Sequence, residues 1–304
     1  MRLSILLVVA GVASCATTPA PAPAPTLTLP PPPGPPPPPT PPPKPAPVTA
    51  VTIRASKIVL VGDSTTAVQG GWGGSFCAEH VTSFAACVNL ARGGRSSGSY
   101  LAEGSWELAL AEARAPGFVN TWILIQFGHN DQPGKPGRST DLATEFPANI
   151  RRYVKEARAA GAKPVLLTPL TRRMFKEGVL QDDLAPWAAA TMLIAAEMNV
   201  PVIDLRGKSH DAIQAMGPTA ANAMAQRPPS DEVAAAATRG TSIPASTGVT
   251  VTEVNDNAAL AGMGKAKRSF DYTHLGRAGA DYFSALITAE LALAVPDMRP
   301  LLIP

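Results

Sequence analysis

An internal repeat, an excess of charge of one sign, and an apolar run long enough to cross a bilayer are all missing from this 304-residue chain. With no fixed period, stacked-repeat architectures are excluded. Lysine and arginine number 26 against 23 aspartates and glutamates, a net charge of +3, and no basic stripe or basic–aromatic alternation occurs. Nucleic acid binding, which needs such a footprint, is therefore unsupported. The N-terminal run from Leu3 to Val12, apolar apart from Ser4, is far shorter than the roughly 20 residues a spanning helix requires. Cysteine is scarce as well: Cys15, Cys77 and Cys87 are the whole complement.

Proline is what the chain has in abundance, and it is concentrated between Pro19 and Pro47 among alanines. A stretch like 16–50 cannot bury a core and favours extended polyproline II, a semi-rigid spacer. A proline-rich ligand for a partner is the alternative, but no interspersed aromatics support it. Ahead of the spacer, residues 1–15 have the layout of a secretory signal: Arg2, the apolar run, then small residues before Cys15. Val12-Ala13-Ser14-Cys15 resembles the bacterial lipobox, which implies cleavage before Cys15 and lipid attachment to it. More than one acyl chain would be needed for stable anchoring. Ala16 offers no inner-membrane retention signal, so an outer-membrane lipoprotein facing periplasm or cell surface is expected. An ordinary signal with a chance cysteine would instead give a soluble periplasmic or secreted protein.

Residues 51–304 remain, a size suited to one α/β domain with a substantial core. Cys77 and Cys87 can form a disulfide in an exported protein or stay as two buried thiols, since spacing alone does not supply the geometry. Short apolar runs recur: Ile58–Val61, Cys87–Leu90, Trp122–Phe127, Pro164–Thr168 and Val202–Leu205. Near-continuous apolar runs suit strands buried on both faces of a parallel sheet. Between them lie helical patterns, with Leu142, Phe146, Ile150, Tyr153, Val154 and Ala157 at helical spacing before Gly161, then Trp187–Met198, and finally Gly279–Ala294. Such alternation predicts a parallel sheet covered by helices on both faces. Residues 207–269, rich in Ala, Ser, Thr, Gly and Pro, show weak periodicity and are expected to form an irregular insertion.

The chemistry stands where these strands end. Gly62-Asp63-Ser64-Thr65 follows the first, Ala91-Arg92-Gly93-Gly94-Arg95-Ser96 the second, and Gly128-His129-Asn130-Asp131 the third. In open parallel sheets ligands bind beyond the carboxyl ends of the strands, so these turns point to one site. Asp271-Tyr272-Thr273-His274 stands before the last helix. A serine hydroxyl needs a base, His is the usual one near neutrality, and a carboxylate fixes its tautomer. Asp271 and His274, three apart in a turn, can meet without long-range help. Ser64, Gly94 and Asn130 offer the amide donors an oxyanion requires.

These four blocks resemble those of the SGNH (GDSL-type) hydrolases, in the family's order. The resemblance implies a flavodoxin-like three-layer α/β sandwich with a parallel five-stranded sheet. It makes Ser64 the nucleophile and first oxyanion donor, Gly94 and Asn130 the other donors, and Asp271 and His274 the rest of the triad. The G-x-S-x-G elbow of another esterase fold is absent around Ser64. More narrowly, Gly71-Trp72-Gly73, Asn89 to Ser96, Thr168 to Arg173 and Asp271 to Leu275 are similar to the rhamnogalacturonan (pectin) acetylesterases. That likeness implies hydrolysis of O-acetyl esters on a plant cell-wall polysaccharide, with no metal or organic cofactor, while segment 207–269 departs from the pattern and leaves the polymer open. Trp72 is a candidate pocket residue or a packing residue, and Arg95 and Arg172 are candidates to hold a uronic acid carboxylate. His80 is expected to be structural, His210 exposed, and His129 a support for the asparagine loop. A lipid or small acyl-ester esterase or thioesterase would use the same triad. A non-catalytic glycan-binding envelope lipoprotein is the third reading, against which the intact Ser64, Asp271 and His274 argue.

Overall fold

The computed structural model describes residues 55–245 and 268–304. The signal with Cys15, the linker 16–50, the first residues of the domain and the 246–267 part of the expected insertion lie outside the described residues. The strands are β1 (Ser56–Gly62), β2 (Ala85–Asn89), β3 (Thr121–Gln126), β4 (Lys163–Leu167), the short β5 (Phe175–Lys176) and β6 (Val179–Leu180), and β7 (Val202–Ile203). Five of them form one parallel sheet in the order β2-β1-β3-β4-β7. β5 and β6 make a separate antiparallel hairpin.

Side chains alternate between the two faces of a strand, and β1 shows how the core follows from that. Ile58 and Leu60 face one side with Trp122, Leu124, Val165 and Leu167, while Val59 and Val61 face the other with Ile123, Ile125 and Leu166. All four β1 side chains are fully buried, each worth about 1.5–3 kcal/mol relative to exposure. The first face is covered by α1 (Gly73–Glu79), α6 (Leu205–Asn222) and α8 (Arg277–Ala294). The second is covered by α2 (Ser97–Ala102), α3 (Ser105–Arg114), α4 (Glu145–Ala159) and α5 (Ala185–Met198). This is the three-layer α/β sandwich, and its strand order puts a topological switch between β1 and β3, where ligands bind at the carboxyl ends. Cys77 of α1 and Cys87 of β2 are disulfide-bonded, with Cα atoms 5.4 Å apart, and staple the edge strand to the first face.

The 207–269 segment differs from expectation. Its described part holds most of α6 and all of α7 (Asp231–Thr238), capped by the Asp204 and Ser230 side chains. Gly217, at φ 74°, and Pro218 interrupt α6, which breaks the periodicity that would have marked it. His210 lies in this helix half-buried, not exposed.

Candidate active site

The turn that carries Ser64, the expected nucleophile, begins where β1 stops. A side chain at Gly62 would meet Gln126 O and Thr66 Oγ1, both at 2.7 Å, so the backbone can run this close to β3 only as glycine. The buried Asp63 then folds the chain over: its Oδ1 accepts the Thr65 N–H and hydroxyl, each at 2.8 Å, an Asx turn with the half-buried Ser64 in it. Two polar residues closing apolar strands brace this turn. Gln126 Oε1 accepts from Thr66 Oγ1 and the Trp72 indole, both at 2.7 Å, and its amide donates to Thr65 Oγ1. Asn89 Nδ2 donates to Thr66 O at 2.9 Å. Behind Asp63 lies the buried His129, its Nδ1 3.3 Å from Asp63 Oδ2. Burial raises the Asp63 pKa, but the nearby His129 and the Thr65 contacts outweigh it and hold the carboxyl below its ordinary value. His129 thus backs the Ser64 turn as well as preceding Asn130.

The turn that carries Asp271 and His274, the expected acid–base pair, is self-contained. Asp271 Oδ1 accepts the backbone N–H groups of Thr273 (2.7 Å) and His274 (2.6 Å), and Oδ2 lies 2.8 Å from His274 Nδ1. An ionised carboxylate only accepts, so Nδ1 carries the proton and Nε2 is left as the base. Burial disfavours the imidazolium, but the hydrogen bond and charge of Asp271, with Asp63 further off, prevail and raise the His274 pKa. Asp271 is itself held low: desolvation pushes it up, and the His274 contacts overcome that. Leu275 N donates to Gly70 O at 2.8 Å, a β-bridge that ties this turn to the loop following Ser64. No hydrogen bond joins the Ser64 hydroxyl to His274 among the described residues; such contacts are often open before substrate binds.

Gly94 and Asn130, the expected oxyanion donors, stand on the loops after β2 and β3. Gly94 sits at φ 77°, a conformation glycine adopts without strain. Asn130 Nδ2 gives one hydrogen to Arg95 O at 3.1 Å and, as an amide, has a second to offer. Asp131 ties the two loops: it accepts from Ser97 N–H and hydroxyl and from Thr140. Burial pushes its carboxyl up to about 6 despite those bonds. Neither the Ser64 nor the Gly94 backbone N–H donates to a protein group among the described residues.

Trp72 and Arg95 are not pocket residues, a correction to the sequence reading. Trp72 is fully buried, edge-on to Phe76 with ring centroids 5.7 Å apart, and its N–H is committed to Gln126. Arg95 is buried against Glu103 (2.9 Å) and Gly93 O (2.8 Å) and steadies the Gly94 loop from within. Arg172 does reach the site's edge, donating to Thr273 Oγ1 at 3.3 Å and pairing with Asp183. Sequence reasoning missed Gln126, Asn89 and Arg173. A polar residue ending an apolar strand marks the first two, whereas nothing in Thr171-Arg172-Arg173 tells which arginine is buried.

A half-buried carboxylate–histidine pair bonded beside a serine turn, at the switch point of a flavodoxin-like sheet, is an arrangement suited to ester hydrolysis, and the protein is a carboxylic ester hydrolase. Residues 60–227 match the GDSL-like lipase/acylhydrolase family, and the chain belongs to it. It is 37% identical over 162 residues to the probable rhamnogalacturonan acetylesterase YesY of Bacillus subtilis, a match covering 51% of this chain and 72% of that protein. It is also 37% identical over 173 residues to the rhamnogalacturonan acetylesterase RhgT of the same organism, covering 53% and 70%. Among solved structures, that of the B. subtilis protein YXIM aligns with a TM-score of 0.56 at 21% identity, over 79% of this chain and 57% of that one, and shares its fold.

Proposed function

We propose that the protein hydrolyses O-acetyl esters on a plant cell-wall polysaccharide of the rhamnogalacturonan or pectin type through an acetyl-enzyme on Ser64. The Asp271–His274 pair, bonded at 2.8 Å and bridged at Leu275 to the Gly70 loop, carries the catalytic half of this reading. The two rhamnogalacturonan acetylesterase relatives support the substrate half. Ser64 Oγ attacks the acetyl carbon as His274 Nε2 takes its proton. The Ser64 and Gly94 N–H groups and the Asn130 amide hold the oxyanion. Collapse of the tetrahedral species breaks the bond to the sugar oxygen, which leaves with the proton from His274. Water, deprotonated by the same histidine, then attacks the acetyl-serine and frees acetate. We propose further that Cys15 is lipidated and that the proline-rich stretch holds the domain away from the outer membrane, toward a polymer.

The test is acetate release by the purified protein from acetylated rhamnogalacturonan, homogalacturonan, xylan and a short-chain aryl ester, with Ser64→Ala as control. Release from a pectic polymer that disappears in the variant is the expected result. Cleavage of the aryl ester alone would keep the triad and refute the polysaccharide substrate.

A further inference from the structure

Arg173 is 1% exposed, and among the described residues it forms no ion pair. A buried cation with no carboxylate in direct contact is costly, and burial pulls its pKa down to about 10, the charge of Asp271 offsetting part of that. Its donors go elsewhere. Nη2 donates to Asp271 O and His274 O, both at 2.8 Å, Nη1 to Thr273 O at 3.2 Å, and its own backbone N–H to Tyr272 O at 2.8 Å. Every carbonyl of the four-residue acid–base turn is therefore held by this one residue. The N–H groups of Thr273 and His274 are held from inside by the Asp271 carboxylate. The turn is thus fixed on both sides, and the direction in which Asp271 meets the imidazole depends on the outer fixing.

We propose that Arg173 is the positioning residue of the triad: its planar fork sets the backbone of Asp271–His274 so that acid and base stay aligned through turnover. Lysine can keep the charge but cannot present several donors in one plane. This role rests on His274 being the base. The charged groups facing His274 are Asp271, Asp63 and Arg173 itself, the carboxylates raising its pKa and Arg173 lowering it.

The full chain and its Arg173→Lys, Arg173→Met and Ser64→Ala variants are compared on an aryl acetate, with kcat and KM followed across pH and Tm measured for each. A displaced reacting group costs about 10²-fold. Arg173→Met should therefore lose about 10²-fold in kcat and Arg173→Lys about tenfold, with KM within about twofold of the parent. In the charge-preserving lysine variant the acid limb should move to lower pH, because Asp271 no longer holds the ring as firmly. Parental kcat and acid limb in Arg173→Lys, whatever its Tm, would overturn the proposal. So would a fall in kcat with an unmoved limb, which marks a general structural lesion. If Arg173→Met does not fold, the lysine variant decides alone. Activity surviving in Ser64→Ala would instead overturn the site assignment on which the role depends.

Discussion

Asn130, His274 and Asp131 report on three different kinds of chemistry. Asn130→Ala removes one oxyanion donor and should lower kcat by about 10²–10³-fold with the fold intact; a loss under threefold in steady-state kinetics would remove it from the hole. The His274 pKa is raised above the ordinary 6.5. The neutral imidazole is the active form, so kcat/KM should fall as pH drops through a limb centred above that value, read from a pH–rate profile. Asp131 has the opposite sign from a salt-bridged carboxylate. It keeps its proton up to about 6 when folded, against an ordinary 3.8. The folded state therefore holds the extra proton across that window, and stability falls as pH rises through it, by about 3 kcal/mol. Urea melts between pH 4 and 6 should show this loss relative to Asp131→Asn; parallel curves would contradict it. The Asp271–His274 contact was readable at this scale because both residues share one short turn. Arg173 was not, since burial is a property of the assembled fold and one arginine of a pair looks like the other.

Among the elements, β1, β3 and β4 are legible as apolar runs because each is covered on both faces, α4 and α8 because they are long enough to show a face, and α5 by its run of alanine and methionine. α1 and α2 span only 7 and 6 residues, too few turns for periodicity to declare itself. α6 was hidden by its Gly217–Pro218 break. The short α1 matters beyond its length, since its N-terminus leans on the Ser64 turn: a Cβ at Gly73 would strike Thr66 O and the Asn89 amide. The Cys77–Cys87 bond holds α1 to β2 in this position. Closing so short a loop is worth about 2–3 kcal/mol, and a domain of this size shifts roughly 2–4 °C per kcal/mol. Replacing both cysteines by serine should lower Tm by roughly 4–12 °C. Calorimetry showing no change would mean that α1 is held by packing alone.

Taken as a whole, the molecule divides into an N-terminal part read from composition and a domain read from structure. If Cys15 anchors the chain as proposed, Cys15→Ser should move the protein from the membrane pellet to the soluble fraction on cell fractionation; an unchanged distribution would refute the anchor. Within the domain, the Gly70–Leu275 bridge joins a loop near the domain's start to one near its close. A ribosome delivers Ser64 early and His274 late, and contacts this distant in sequence form slowly. An incomplete chain can therefore present its serine with no histidine beside it, and competence waits until the Asp271–His274 turn is bridged to the Gly70 loop.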